Sequence, residues 1–259
     1  VRYARVETGQ GARWAELNDD TFRVLDGSPY DGGKPEGTEY SSDEVRLTAP
    51  VVPSKIFCVG RNYAAHRTEM GYRHDGSPSI FMKGPSTIIG PDENIVLPPT
   101  DLSTHVEHEA ELAFVIGKTA RCVLAGDAAD YIFGYTCAND VSARDLQRSD
   151  PQLTRGKGFD TFCPVGPWIE TELDIDIGVR LSCNVNGQLR QDASTADMTY
   201  GIPFLVEYLS AFATLCPGDL ILTGSPGGTT ALHPGDTIDI DISGIGTLTN
   251  GVVDERRCL

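Results

Sequence analysis

The stretch Val106-Glu107-His108-Glu109-Ala110-Glu111-Leu112-Ala113-Phe114-Val115-Ile116-Gly117 decides how this chain is read. From Ala110 onward it is apolar and β-branched and it stops at a glycine, so it predicts a strand over 110–116. Successive strand side chains point to opposite faces, which puts Glu107, Glu109 and Glu111 in one row. Carboxylates at that spacing repel one another, and a buried carboxylate needs a partner. A hard divalent cation supplies one. Asp140, at the end of the next apolar run, can complete the cage, so these acids point to a Mg²⁺ or Mn²⁺ site.

Working outward, further strands are expected at 56–59, 79–82, 132–138, 179–185, 220–222 and 238–242. Pro-Gly-Asp turns at 217–219 and 234–236 launch two of them. Pro203 opens one long helix carrying Ile202, Leu205, Leu209, Phe212 and Leu215 at helical spacing, and a shorter helix spans 63–70 with Asn62 as N-cap and Gly71 as stop. Residues 1–50 show short alternating pieces at 3–6, 13–17 and 21–25, then a polar Gly/Pro-rich linker over 26–42. The expected architecture is a β-dominated α+β domain over 51–259 behind a small β-rich N-terminal domain, not a doubly wound sheet.

The bulk numbers narrow the function. A formal charge of −16 over 259 residues repels nucleic acid and anionic membranes. No apolar run approaches the ~20 residues of a membrane span. The start of the chain shows no secretory h-region. The seven cysteines are odd in number, scattered and free of any Cys-x-x-Cys, the pattern of reduced thiols, so a cytoplasmic location is expected.

Other constellations carry chemistry. His66 and Glu69 are three apart on the short helix, where a carboxylate can raise and orient an imidazole as a general base for water. The same spacing fits an exposed ion pair. The polar loop 72–76 that follows is a candidate lid. If a helix begins just after Asp140, then Asp140, Arg144 and Gln147 share a face; the alternative makes Asp140 an N-cap paired with Arg144. Lys157 stands between Gly156 and Gly158, whose lack of side chains allows close approach to a ligand, although a solvated lysine also fits. Three carboxylates around a dication would leave a negative site, and Lys157 and Arg144, with Arg61 assisting, would reverse that sign for an anionic substrate. The apolar run at 220–222 delivers Thr223-Gly224-Ser225-Pro226-Gly227-Gly228, neither a P-loop nor a nucleophile elbow, whose backbone N–H groups can hold a carboxylate or merely turn the chain.

Gly60-Arg61-Asn62-Tyr63-x-x-His66-x-x-Glu69, His108-Glu109-Ala110-Glu111-Leu112, Asn139-Asp140-x-Ser142-Ala143-Arg144-Asp145-x-Gln147, Gly156-Lys157-Gly158 and Leu222-Thr223-Gly224-Ser225-Pro226 come in an order that resembles the fumarylacetoacetate hydrolase family. The stretch from Asn186 to Ser210 also looks like the 2-hydroxyhepta-2,4-diene-1,7-dioate isomerases, and is similar in acylpyruvate hydrolases and oxaloacetate decarboxylases. The resemblance implies a mixed β-sandwich roll, a homodimer, and Glu109, Glu111 and Asp140 as metal ligands, with Glu107 left out. It also implies His66 and Glu69 as the lid dyad, Lys157 as a catalytic cation, and Arg61, Arg144, Gln147, Gly224 and Ser225 around the substrate. Pro151 replaces a tyrosine of the fumarylacetoacetate hydrolases proper, and Ser225 stands where threonine is common.

The expected activity is therefore metal-dependent isomerisation or hydrolysis of a small anionic 2-keto acid or hydroxydienoate diacid through a metal-stabilised enolate, with oxaloacetate decarboxylation as the alternative. A metal-dependent binding protein for 2-keto acids and a purely structural Ca²⁺ site are the non-enzymatic readings.

Overall fold

The computed structural model describes residues 1–255 apart from 10, 70 and 72–75. The strand that opened the reading is present at Ala110–Ile116, and all seven of its residues are buried. Its two faces serve two cores. Leu112, Phe114 and Ile116 join Phe57, Val59 and Ile221 on one side. Ala113 and Val115 join Ile56, Cys58, Leu220 and Leu222 on the other. The register keeps this parity across strands, with Ala113 opposite Leu222 and Leu220 opposite Ile56. Burial on both faces is why the segment reads as one continuous apolar run, and a one-residue slip would exchange the two cores.

The large sheet has twelve strands. Its main path runs Pro35–Ser41, Thr21–Leu25, Gly11–Asn18, Arg2–Thr8, Cys163–Glu170, Ile132–Asn139, Ala110–Ile116, Leu220–Leu222, Ile56–Gly60 and Ser79–Lys83. A five-stranded sheet, in the order Gln188–Ser194, Arg180–Val185, Thr237–Ile242, Gly246–Asp254 and Ile95–Leu97, contributes Leu181, Ile240 and Leu248 to the first core. The first core also takes Leu205 and Leu209 from a helix at Ile202–Phe212, which has proline in its first turn as expected. The fold is thus the β-dominated α+β class with mixed sheets.

The N-terminal strands continue this same sheet: Arg2–Thr8 pairs with Cys163–Glu170. Trp14 and Tyr30 pack edge-on and extend the second core, where Tyr30 also meets Phe133. The polar segment expected as a linker contains a strand, Pro35–Ser41, that pairs with Thr21–Leu25. Its residues are almost all exposed, so it carries no alternation to read. The expected short helix is α1, Ala64–Glu69, and Gly71 follows it at φ +72. Asn62 does not cap α1. Its side chain is fully buried and bonds instead to the backbone of Tyr200 and Thr223, tying the helix entrance to the glycine-rich loop. Residues 72–75 of the expected lid lie outside the described residues.

Candidate metal centre

The acids sit where two antiparallel strands end side by side. Glu111 is opposite Ala138 and Ala110 opposite Asn139. Beyond that pair the Asn139 side chain accepts the Glu109 N–H at 2.9 Å, and the Asp140 N–H donates to the Glu109 carbonyl at 2.8 Å. These bonds extend the ladder past the strand ends and bring Glu109, Glu111 and Asp140 together. Each offers a ligand oxygen within 4.8 Å of the others, and all three are buried. Glu107 is not in this row. The strand is interrupted at His108 and Glu109, and Val106–Glu107 pairs with Ser142–Ala143 instead.

Three buried cations face the acids. Lys157 Nζ lies 2.7 Å from Glu109 and 2.5 Å from Asp140, so it is a group of the site and not a solvated lysine. Arg144 reaches Glu107 at 2.6 Å and Glu109 at 2.6 Å. The third, Lys83, was missed by the sequence reading: its Nζ lies 2.6 Å from the second oxygen of Asp140 and 3.2 Å from the Val141 carbonyl. Lys83 shares strand parity with Phe81 and stands opposite Ile56, which is the one signal that marks it as inward-facing.

Burial pushes the carboxyls of Glu107, Glu109 and Glu111 upward, and the charges beside each one set the direction it finally takes. Arg144 and Lys157 outweigh burial at Glu109 and hold it well below the usual range. Arg144, with bonds from His105 and Thr229, brings Glu107 down to about 2 against its burial. Glu111 goes the other way, well above the usual range, because burial is reinforced by Asp140 and Glu109. Glu111 accepts the Gly224 N–H at 2.6 Å and, among the described residues, forms no salt bridge. With all four carboxylates ionised the acids exceed Lys83, Arg144 and Lys157 by one negative charge, and that deficit falls on Glu111, the acid whose charged form lacks a salt-bridge partner. All-oxygen donors, tight clustering and that deficit fit a hard divalent cation.

The neighbouring groups are placed by close backbone packing. Helix α2, Arg144–Ser149, starts after a two-residue strand, so Asp140 is neither on its face nor its N-cap. Arg144 and Gln147 do share that face, with Arg144 Nη1 donating to Gln147 Oε1 at 2.7 Å. Because Arg144 is spent on Glu107, Glu109 and Gln147, it orients the acids, while the Gln147 amide N–H₂ is the end left to meet a ligand. Helix α3, Thr154–Lys157, lies against α2 at Gly156, where a Cβ would come within 2.9 Å of the Gln147 nitrogen.

On the opposite wall His66 bridges two acids, with Nδ1 3.4 Å from Glu69 and Nε2 3.5 Å from Glu109. Glu69 also accepts the Gly228 N–H at 3.1 Å. The Gly224 N–H is therefore committed to Glu111, and the glycine-rich loop holds protein carboxylates where a substrate carboxylate was expected. Gly224 is at φ +103, and a Cβ there would meet Asn62 at 2.7 Å. A cavity of about 50 Å³ opens onto the acids, lined by Arg61, His66, Glu109, Glu111, Gln147, Lys157 and Ser225, with Val59, Gly60, Ser79, Phe81 and Leu153 completing the wall.

The family model described as fumarylacetoacetate (FAA) hydrolase C-terminal matches residues 55–253, and a second, described as Rv2993c-like, N-terminal, matches residues 1–50. The chain belongs to the fumarylacetoacetate hydrolase family. It is similar to oxaloacetate tautomerase YisK of Bacillus subtilis, 43% identical over 81% of this chain and 75% of that protein. Among solved structures it matches a 2-hydroxyhepta-2,4-diene-1,7-dioate isomerase from Mycobacterium marinum at TM-score 0.90, 43% identical over 99% of each chain. It also matches a maleylpyruvate hydrolase from Sphingobium sp. SYK-6, in complex with manganese (II) ion and pyruvate, at TM-score 0.82, 31% identical over 99% of this chain and 100% of that one. Among the described residues no helix is long and apolar enough to cross a membrane.

Within this fumarylacetoacetate hydrolase scaffold the α2–α3 contact yields a direct prediction. Gly156→Ala should destabilise the protein by about 1–3 kcal/mol, the usual cost of forcing extra volume into a packed site. Chemical denaturation would show it. Equal denaturation midpoints for variant and wild type would mean that α2 and α3 do not need this approach.

Proposed function

We propose that the chain is a divalent-metal-dependent enzyme that moves a proton on a small anionic 2-oxo acid or its enol, in the manner of the 2-oxo-diacid isomerases and tautomerases. Mg²⁺ and Mn²⁺ both suit the all-oxygen donor set of Glu109, Glu111 and Asp140. When bound, such a dication supplies a Lewis acid to the carboxylate and carbonyl oxygens of the acid. The protein's own groups do the rest. Lys157 stabilises negative charge that builds on the carbonyl oxygen. Gln147 and Ser225 donate hydrogen bonds from the wall and fix the orientation of the acid, with Arg61 at the rim of the cavity. His66, oriented through Nδ1 by Glu69, takes and returns the proton. The observation that carries this reading is the imidazole itself: it lines the cavity and spans from Glu69 to the triad, and binding alone requires no such group.

Hydrolysis of an acylpyruvate is the second reading. Glu69 is 41% exposed on its side chain, so water can reach the dyad. The test uses protein stripped with a chelator and reloaded with Mn²⁺ or Mg²⁺, assayed on enol-oxaloacetate, 2-hydroxyhepta-2,4-diene-1,7-dioate and acetylpyruvate by ultraviolet absorbance. Metal-dependent turnover of at least one, inhibited by oxalate, is expected. No turnover of any of them by protein shown to hold Mn²⁺ would overturn the assignment.

A further inference from the structure

We propose that Gln191 and His108 are positioning residues that hold the Ser225 hydroxyl as a one-way hydrogen-bond donor toward an anionic oxygen in the cavity. The inference rests on the functional reading above, since it concerns how the same cavity receives an acid.

The direction of each bond follows from groups that can only donate. The backbone N–H of Thr230 lies 3.2 Å from His108 Nε2, with the Thr230 hydroxyl 3.1 Å from the same nitrogen. An amide N–H cannot accept, so Nε2 is the acceptor and the ring proton of the neutral imidazole sits on Nδ1. Nδ1 then donates to Gln191 Oε1 at 3.0 Å, with Cys183 Sγ a more distant neighbour at 3.5 Å. The Ala110 N–H donates to that same oxygen at 3.0 Å. Two donors at one end fix which way round the amide lies. Gln191 Nε2 therefore donates to Ser225 Oγ at 2.8 Å and to the Pro226 carbonyl at 2.7 Å.

Ser225 Oγ thus accepts from Gln191 and has one proton left to give. Its acceptor within the protein is the Pro226 carbonyl at 3.3 Å, which already takes the shorter bond from Gln191. Ser225 lines the cavity, so a carboxylate or carbonyl oxygen bound there is the better acceptor for that proton. His108, Gln191 and Ser225 are all buried, which strengthens the bonds among them. The relay runs from Thr230 through His108, the neighbour of Glu109, and Gln191 to the wall of the cavity.

Gln191→Glu tests it. The carboxylate still accepts from Ala110 and His108 but, ionised, gives nothing to Ser225, whose hydroxyl turns to donate to it. Oxalate is titrated calorimetrically into the Mn²⁺-loaded wild type, Q191E, S225A and the double variant, and Mn²⁺ affinity is read separately by electron paramagnetic resonance. Q191E and S225A should each weaken oxalate roughly tenfold, the scale of one hydrogen bond to a charged group. The double variant should be no weaker than S225A, and Mn²⁺ affinity should not change. An unchanged oxalate affinity in Q191E overturns the relay, as does a loss of equal size in the S225A background. Should Q191E fail to fold, S225A alone decides: oxalate bound as tightly as by wild type also overturns it. Failure of Mn²⁺-loaded wild type to bind oxalate at all would instead remove the functional reading itself.

Discussion

Asp140→Asn is expected to weaken divalent-cation binding severely and to destabilise the metal-free protein at the same time. The two oxygens of Asp140 lie 2.6 Å from Lys83 and 2.5 Å from Lys157, and both ammonium groups are almost completely buried. Asparagine keeps the shape but loses the charge, and its amide N–H₂ is turned against one of those cations. Breaking a buried ion pair by removing one partner costs about 3–5 kcal/mol, because the other charge is left without compensation. Here two cations lose their partner. The same change raises the charge of the site by one unit and replaces a charged oxygen donor by a neutral one, so Mn²⁺ affinity should fall by roughly 100-fold. Denaturation in the presence of chelator measures the first effect and a Mn²⁺ titration the second. A variant as stable as wild type that binds Mn²⁺ equally well would show that Asp140 is not the centre of the cage.

His66→Ala should give the opposite profile. His66 makes two polar contacts of 3.4 and 3.5 Å, longer than those of the cation–carboxylate network, so its removal leaves the cage standing. Turnover should drop by about 10²–10⁴-fold, the usual contribution of a positioned acid–base group. Oxalate affinity in the presence of Mn²⁺ should stay near that of wild type. A binding protein for 2-oxo acids would have no turnover to lose. Full activity in H66A would place the proton transfer on another group.

The parts of the fold that were legible were those whose burial is written in local pattern. The strands at Ala110–Ile116 and Leu220–Leu222 were found at their observed bounds because flanking glycines and turns delimit apolar residues on both faces. The Cys163–Glu170 strand was missed. It contains Pro164 and Pro167, which argue against a strand unless its neighbours on the sheet are known. At the site, the resemblance selected the three clustered acids where alternation alone could not, since alternation retained Glu107. What spacing could not supply was pairing across the chain. Lys83 and Asp140 are 57 residues apart, and only the sheet brings them together. Arg144 was expected around the substrate, but its nitrogens are occupied by Glu107, Glu109 and Gln147. Residue type marks it as a cation of the site; the folded arrangement decides what it holds.

Residues 224–230 bind Glu111 through Gly224, Glu69 through Gly228, Glu107 through Thr229 and His108 through Thr230. A change of length or shape there would disturb ion, base and arginine together. The facing rim, with Ser79, Phe81 and Leu153, makes none of these bonds. Those rim side chains can therefore be exchanged, to fit a longer or shorter ligand, without disturbing any of the bonds that this loop makes.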